Sequence, residues 1–231
     1  MARSKLIEKL ELRDGDKVLI LMPHPDDETI FLSGTIRQLI KNKINVKVIT
    51  ITRGEASISR FGLKRNDNLA DAREKELINV FKILGVKEYR ILHFKDGRLS
   101  DQVKELKLEI DKEINSFLPN IVITLEPNGI YGHPDHISLS GTVKAVIKKP
   151  CRIVYSTVAE NKVKPKNSYV AVKEVNPLKP NLIIKLGVLD KITKIRCLQA
   201  YKTQFNFQKK QSSYNFFKVN KLLDFEYLVI K

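Results

Sequence analysis

Short apolar runs alternate along this chain with longer stretches in which apolar positions recur every three or four residues. Lys17-Val18-Leu19-Ile20-Leu21-Met22 is the first run, the pattern of a strand buried on both faces. Helical spacing follows from Asp26 to Lys43 through Ile30, Phe31, Ile36, Leu39 and Ile40, and Val46–Ile51 reads as a second strand. Asp67 is placed to cap a helix through Leu69, Leu77, Val80, Phe81 and Leu84, closed by Gly85. Tyr89–Leu92 is a third strand, Val103–Phe117 an amphipathic helix, and Ile121–Leu125 a fourth strand. Ile137–Lys148 then reads as helix and Arg152–Tyr155 as a fifth strand. The proline-marked region 156–186 adds strands at Ser168–Lys173 and Leu182–Ile184, followed by a helix over Val188–Lys202 and a closing strand at Phe225–Ile230.

Strands alternating with helices imply right-handed crossovers and an α/β fold, a Rossmann-like, mostly parallel sheet flanked by helices with extra C-terminal strands. No repeat, linker or low-complexity tract divides the sequence, so residues 1–231 read as one domain. Ligands in such sheets bind beyond the carboxyl ends of the strands. The polar sequences collect there: His24-Pro25-Asp26-Asp27-Glu28 after the first strand, Arg53-Gly54-Glu55 after the second, Asp96-Gly97-Arg98 after the third, and Glu126 to His136 after the fourth.

Composition narrows the classes. With 42% hydrophobic and 29% charged residues the chain can bury a core. No stretch approaches the roughly 20 apolar residues of a membrane span, and the charged N-terminus lacks the apolar core of a signal peptide. Cys151 and Cys197, at no metal-ligand spacing, read as lone thiols of a reducing compartment, which makes the cytoplasm the expected location. The net charge of +16 is concentrated in residues 140–231, where 19 Lys and Arg face 5 Asp and Glu. Such a half attracts phosphate-bearing ligands, although scattered lysines also make an ordinary solvated surface. A nucleic-acid-binding role lacks support: the chain has no Trp, no aromatic RNA-binding motif and no helix-turn-helix signature. The oligomeric state is left open, a homo-oligomer included.

Two motifs carry the chemistry. In His24-Pro25-Asp26-Asp27-Glu28, three consecutive acids beside a histidine repel one another unless a helix N-terminus or a cation offsets them. An N-cap cluster accounts for one carboxylate but leaves His24 unexplained. His133-Pro134-Asp135-His136, after Tyr131-Gly132, again sets two histidines three residues apart. Ligands from two strand ends, with a position left for water, are how catalytic zinc sites are built; the mixed set also admits iron, manganese or cobalt. His93, in the third strand, reads as a satisfied, partly buried histidine.

The pairing of these motifs resembles the PIG-L/LmbE-like family of zinc de-N-acetylases, which includes N-acetylglucosaminyl-phosphatidylinositol, mycothiol-type and bacillithiol-type deacetylases. The resemblance extends to Thr52–Glu55, the Arg73…Glu76…Leu84-Gly85 pattern, Asp96–Leu99 and Lys194…Cys197…Ala200–Gln204. It implies a Zn2+ held by His24, Asp27 and His136, Asp26 as general base, and His133 and Tyr131 stabilising the tetrahedral intermediate. Arg73, Asp96 and Arg53 would contact a small N-acetyl amino-sugar substrate, with phosphate on it favoured by the basic half. Asp135 either orients a histidine or caps a helix. The chain departs from the family pattern at Pro23, where Ala or Ser is common, and at Tyr201-Lys202-Thr203, where His-Arg-Ser is usual.

Overall fold

A computed structural model describes residues 4–159, 175–206, 211–212 and 223–231. The elements in order are α1 (Lys5–Lys9), β1 (Lys17–Met22), α2 (Asp27–Lys41), β2 (Asn45–Thr52), α3 (Leu69–Leu84), β3 (Glu88–Phe94), α4 (Val103–Phe117) and β4 (Ile121–Leu125). There follow a kinked turn of helix, α5 (Gly129–Gly132), then α6 (Pro134–Val146), β5 (Arg152–Thr157), β6 (Leu182–Lys185) and α7 (Val188–Ala200). A short ribbon of β7 (Phe205–Asn206) and β8 (Gln211–Ser212) precedes β9 (Phe225–Ile230).

Seven strands form one sheet in the order β3-β2-β1-β4-β5-β9-β6. The first five are parallel to their neighbours; β9 runs antiparallel to β5 and β6. The apolar run of β1 is explained by the two-residue period of a strand. Val18, Ile20 and Met22 enter a core shared with α1, α2, α3 and α7, while Leu19 and Leu21 enter a second core with α4 and α6. The crossover after β1 therefore lies on one face of the sheet and that after the adjacent β4 on the other. That reversal opens a crevice between the two strand ends, the usual ligand position of a doubly wound sheet.

Two expectations need correction. The cap of α3 is Asn68, whose Oδ1 accepts from the backbone N–H groups of Ala70 and Asp71, because the helix starts one residue later than an Asp67 cap requires. His93 is exposed near the carboxyl end of β3, the edge strand, with its ring 3.8 Å from Glu74 of α3. The expected strand at Ser168–Lys173 lies outside the described residues. Cys151 and Cys197 are both free thiols, and among the described residues no helix is long and apolar enough to cross a membrane.

The antiparallel edge is tied to the helices by a buried ion pair. Lys194 of α7 donates to Glu226 of β9 over 3.1 Å, and both are almost inaccessible. The same carboxylate accepts the backbone N–H groups of Gly34 and Thr35 in α2, at 2.9 and 2.7 Å. Removing one partner of such a pair leaves a buried charge uncompensated. Lys194→Met is expected to cost about 3–5 kcal/mol of stability, read as a lower midpoint in urea unfolding; a change below about 1 kcal/mol would refute the assignment.

Candidate metal centre

The turn from β1 into α2 is built around Asp26, which sits at the N-cap with φ 101° and ψ −27°. Its side chain makes no capping hydrogen bond, so the N-cap reading of the acidic cluster fails. Left-handed backbone at a non-glycine residue costs about 1–3 kcal/mol and persists where the surroundings enforce it. Three consecutive acids are buried here, Asp26 and Asp27 at the strand end and Glu28 beneath them.

His24 Nδ1 lies 3.1 Å, and His136 Nε2 3.4 Å, from the same oxygen, Oδ2 of Asp27. One donor atom from each of these three residues falls within 4.8 Å of the others. His136 is fully buried, yet neither of its ring nitrogens makes a hydrogen bond. Buried polar atoms are nearly always satisfied, so this donor set fits a divalent cation held between two imidazoles and a carboxylate. Mixed nitrogen and oxygen ligands on rigid strand ends, with room for a further ligand, are the composition of catalytic sites for such ions.

The opposite edge of the His24 ring is fixed by carboxylates. Nε2 is 3.1 Å from Asp135 Oδ2 and 3.1 Å from Asp96 Oδ1. Asp135 is held in turn by the backbone N–H groups of Gly97 and Leu99, at 2.7 and 3.0 Å, and Asp96 by that of Ala56 at 2.8 Å. With Nε2 engaged, Nδ1 is the nitrogen presented to Asp27, the orientation that carboxylate partners give to metal-binding imidazoles. Asp135 therefore orients a histidine and does not cap α6. The cap is His133, whose Nδ1 accepts from the Asp135 N–H at 3.2 Å.

Burial and charge set the protonation pattern. Burial pushes Asp26 up to about 8; Arg73 opposes the rise, while Asp27 and Glu28 add to it. Burial also acts on Asp27, but His136 and His24 hold it far below the usual carboxylate range. Burial disfavours the charged form of His24, yet Asp135, Asp27 and Asp96 raise it well above the ordinary imidazole value. Asp96 is brought down to about 2: His24 and the Ala56 N–H outweigh its burial. Burial, then the charges of His24 and His136, depress His133 to about 3. Since its Nδ1 accepts a backbone hydrogen bond, His133 is a neutral imidazole with its proton on Nε2.

The sequence-derived residues do not all converge. His133 stacks on His136 with ring centroids 4.6 Å apart, and Tyr131 meets His136 edge-on at 5.4 Å. Arg73 is buried behind Asp26, with its guanidinium donating to the carbonyls of Pro25 and Gly54 and to Asp26 Oδ2. Arg53 turns to Asp71 and Glu74, at 2.9 and 3.5 Å. Glu126 was not singled out by its sequence context, yet it organises the loop that carries Tyr131 and His133. Its carboxylate accepts from Asn128, Ile130 and Leu178 N–H groups, holding Ile130 at φ 65°. An acid closing an apolar strand before a Pro-Asn-Gly turn was the available signal. A cavity of about 650 Å³ lined by Lys17, Lys43, Lys87 and Phe117 opens at the amino ends of the strands, away from this chemistry.

A family model described as GlcNAc-PI de-N-acetylase matches residues 19–147. A probable N-acetyl-alpha-D-glucosaminyl L-malate deacetylase 2 of Bacillus anthracis is 29% identical over 201 residues, covering 84% of both chains. A 1D-myo-inositol 2-acetamido-2-deoxy-alpha-D-glucopyranoside deacetylase of Saccharomonospora viridis is 31% identical over 159 residues, 57% of this chain and 58% of that one. This chain thus spans most of the first relative and little more than half of the second. Among solved structures, an N,N'-diacetylchitobiose deacetylase of Pyrococcus horikoshii shares the fold at TM-score 0.69 and 20% identity, covering 98% of this chain and 90% of that one.

Gly54 carries a geometric requirement of this site. Its φ is +68°, and a Cβ there would stand 2.0 Å from the Arg73 guanidinium. Gly54→Ala is expected to displace Arg73 from Pro25 and Asp26, costing about 1–3 kcal/mol of stability and most of the catalytic activity. Wild-type stability and turnover in the purified variant would contradict this packing.

Proposed function

Because the chain belongs to the PIG-L family of GlcNAc-PI de-N-acetylases, we propose that it hydrolyses the N-acetyl group of an N-acetylglucosamine-containing small molecule or glycoconjugate, using Zn2+ held by His24, Asp27 and His136. The observation that carries this reading is the buried His24–Asp27–His136 donor set with the strained, buried Asp26 beside it. Relatives that deacetylate glucosaminyl malate and glucosaminyl inositol support the amino-sugar substrate class. The same reading takes residues 1–231 as one domain acting in the cytoplasm.

An amide resists neutral water, so the attacking water must lose a proton, the carbonyl oxygen must be stabilised and the amine must gain a proton. Zinc, when bound, polarises the acetyl carbonyl and lowers the pKa of water from about 15.7 towards about 7. Asp26 serves as general base: its buried carboxylate, held beside the donor set by Arg73, takes the proton from water and delivers it to the leaving nitrogen. His133 donates from Nε2 to the oxygen of the tetrahedral intermediate. It does so without becoming charged, since its Nδ1 stays engaged by the Asp135 N–H. One such donor is worth about 2.7–4 kcal/mol of barrier. Tyr131, packed edge-on against His136, supplies a second polar group at the rim. Asp96 acts through His24, whose Nε2 it meets at 3.1 Å, and Arg73 acts through Asp26. Arg53, paired with Asp71 and Glu74 but still partly exposed, would meet a substrate phosphate by leaving those acids.

Metal analysis with a free-amine release assay tests the proposal. One zinc per chain is expected in the wild type and in Asp26→Ala, and loss of the metal in His136→Ala. Asp26→Ala should lower kcat by about 10²–10⁴-fold; full activity there would remove the base, and a metal-free wild type not stimulated by zinc would sink the whole scheme. On a panel of N-acetylglucosaminides, phosphate-bearing substrates should show a higher kcat/KM that falls with added salt. Equal turnover of charged and neutral substrates would remove the phosphate part alone.

A further inference from the structure

One peptide unit at the site, Pro25–Asp26, is gripped at both of its polar atoms. Its carbonyl accepts from Arg73 Nη2 at 2.5 Å, and its N–H donates to Glu28 Oε2 at 3.1 Å. Both gripping side chains are buried, and they approach from different helices, α3 and α2. Glu28 is itself fixed. Its other oxygen, Oε1, accepts from Thr29 Oγ1 at 2.6 Å and from Tyr201 Oη at 2.7 Å. Tyr201 is fully buried at the C-cap of α7 and is among the largest fully buried side chains of the molecule. A carboxylate only accepts hydrogen bonds, so three donors converging on Glu28 hold both of its oxygens in place.

We infer that Tyr201 is a positioning residue for the reaction: through Glu28 it locks the Pro25–Asp26 peptide and keeps Asp26 in the left-handed conformation that aims its carboxylate. The inference rests on the reading of Asp26 as the general base. The logic is that of a strained functional residue held by over-determination. Asp26 gives up favourable backbone geometry and has no cap of its own, so its conformation depends on the grip at either side. Gly54 leaves the room that the Arg73 side of the grip needs. The Tyr201 side comes from the far end of the chain, at the C-cap of α7. A hydroxyl there reaches Glu28 Oε1 with no other group between.

Tyr201→Phe removes one oxygen and keeps the packed ring, so the variant separates the grip from the core. With the zinc-loaded enzyme, kcat should fall about 10-fold or more while KM and the zinc-to-protein ratio stay at wild-type values. In the same variant, amide hydrogen exchange read by NMR should accelerate at Asp26 but not in the strands. Tyr201→His, which keeps a ring donor, should recover part of kcat. A Tyr201→Phe enzyme with wild-type kcat and wild-type exchange at Asp26 overturns the inference. So does a variant that has lost its zinc, which would make Tyr201 a support of the metal ligands. The base reading fails separately, in Asp26→Ala, and faster Asp26 exchange in Tyr201→Phe would still be seen in that case.

Discussion

Negative charge buried at one strand end is the constraint around which the molecule is arranged. Asp26, Asp27 and Glu28 are 4%, 1% and 0% exposed on consecutive residues, and Asp96 and Asp135 crowd the same histidine. A buried carboxylate is tolerated only when paired or fully hydrogen-bonded. Each acid here meets a different partner: Asp26 the Arg73 guanidinium, Asp27 two imidazoles, Glu28 two hydroxyls and a backbone amide. Three solutions side by side give three adjacent carboxyls three different affinities for a proton, and that difference is what acid–base chemistry on an amide requires.

The sheet brings those partners together. β1 and β4 are neighbours although three helices and two strands separate them in sequence, and their following helices leave on opposite faces. The two histidine motifs follow these two strand ends, so the crevice and the candidate metal site share one origin in topology. The buried Lys194–Glu226 pair extends the order outwards, joining the antiparallel edge to α2, the helix that begins at Asp27.

Periodicity made the parallel core legible, since strands buried on both faces leave runs such as Val18–Met22 and Ile121–Leu125. The candidate metal-binding set was legible because its histidines and aspartate lie three residues apart within two short motifs that follow strands. What stayed hidden depended on contacts distant in sequence. The spacing that suggests Arg73 as a ligand for sugar hydroxyls does not show that its Nη1 and Nη2 donate to Pro25, Gly54 and Asp26. Arg53 sits at a strand end as expected but finds acids on α3 closer than the crevice. His93 breaks the rule in the other direction: it is exposed near the end of the edge strand, and pattern alone does not reveal which strand is the edge. The tautomer of His133 also required a backbone partner that no motif displays.

The bond between Glu28 and Tyr201 closes a loop of 173 residues. Its entropic cost grows only as the logarithm of that length, but it forms only after both ends of the loop are in place, and contacts of such range slow folding. While the chain is being made, β1, β4 and the loops that bear the metal ligands emerge well before α7 does. The turn that carries Asp26 is therefore completed by a hydroxyl from the far end of the chain, and a truncation that removed α7 would take that hydrogen bond away while leaving β1 and β4 intact in sequence.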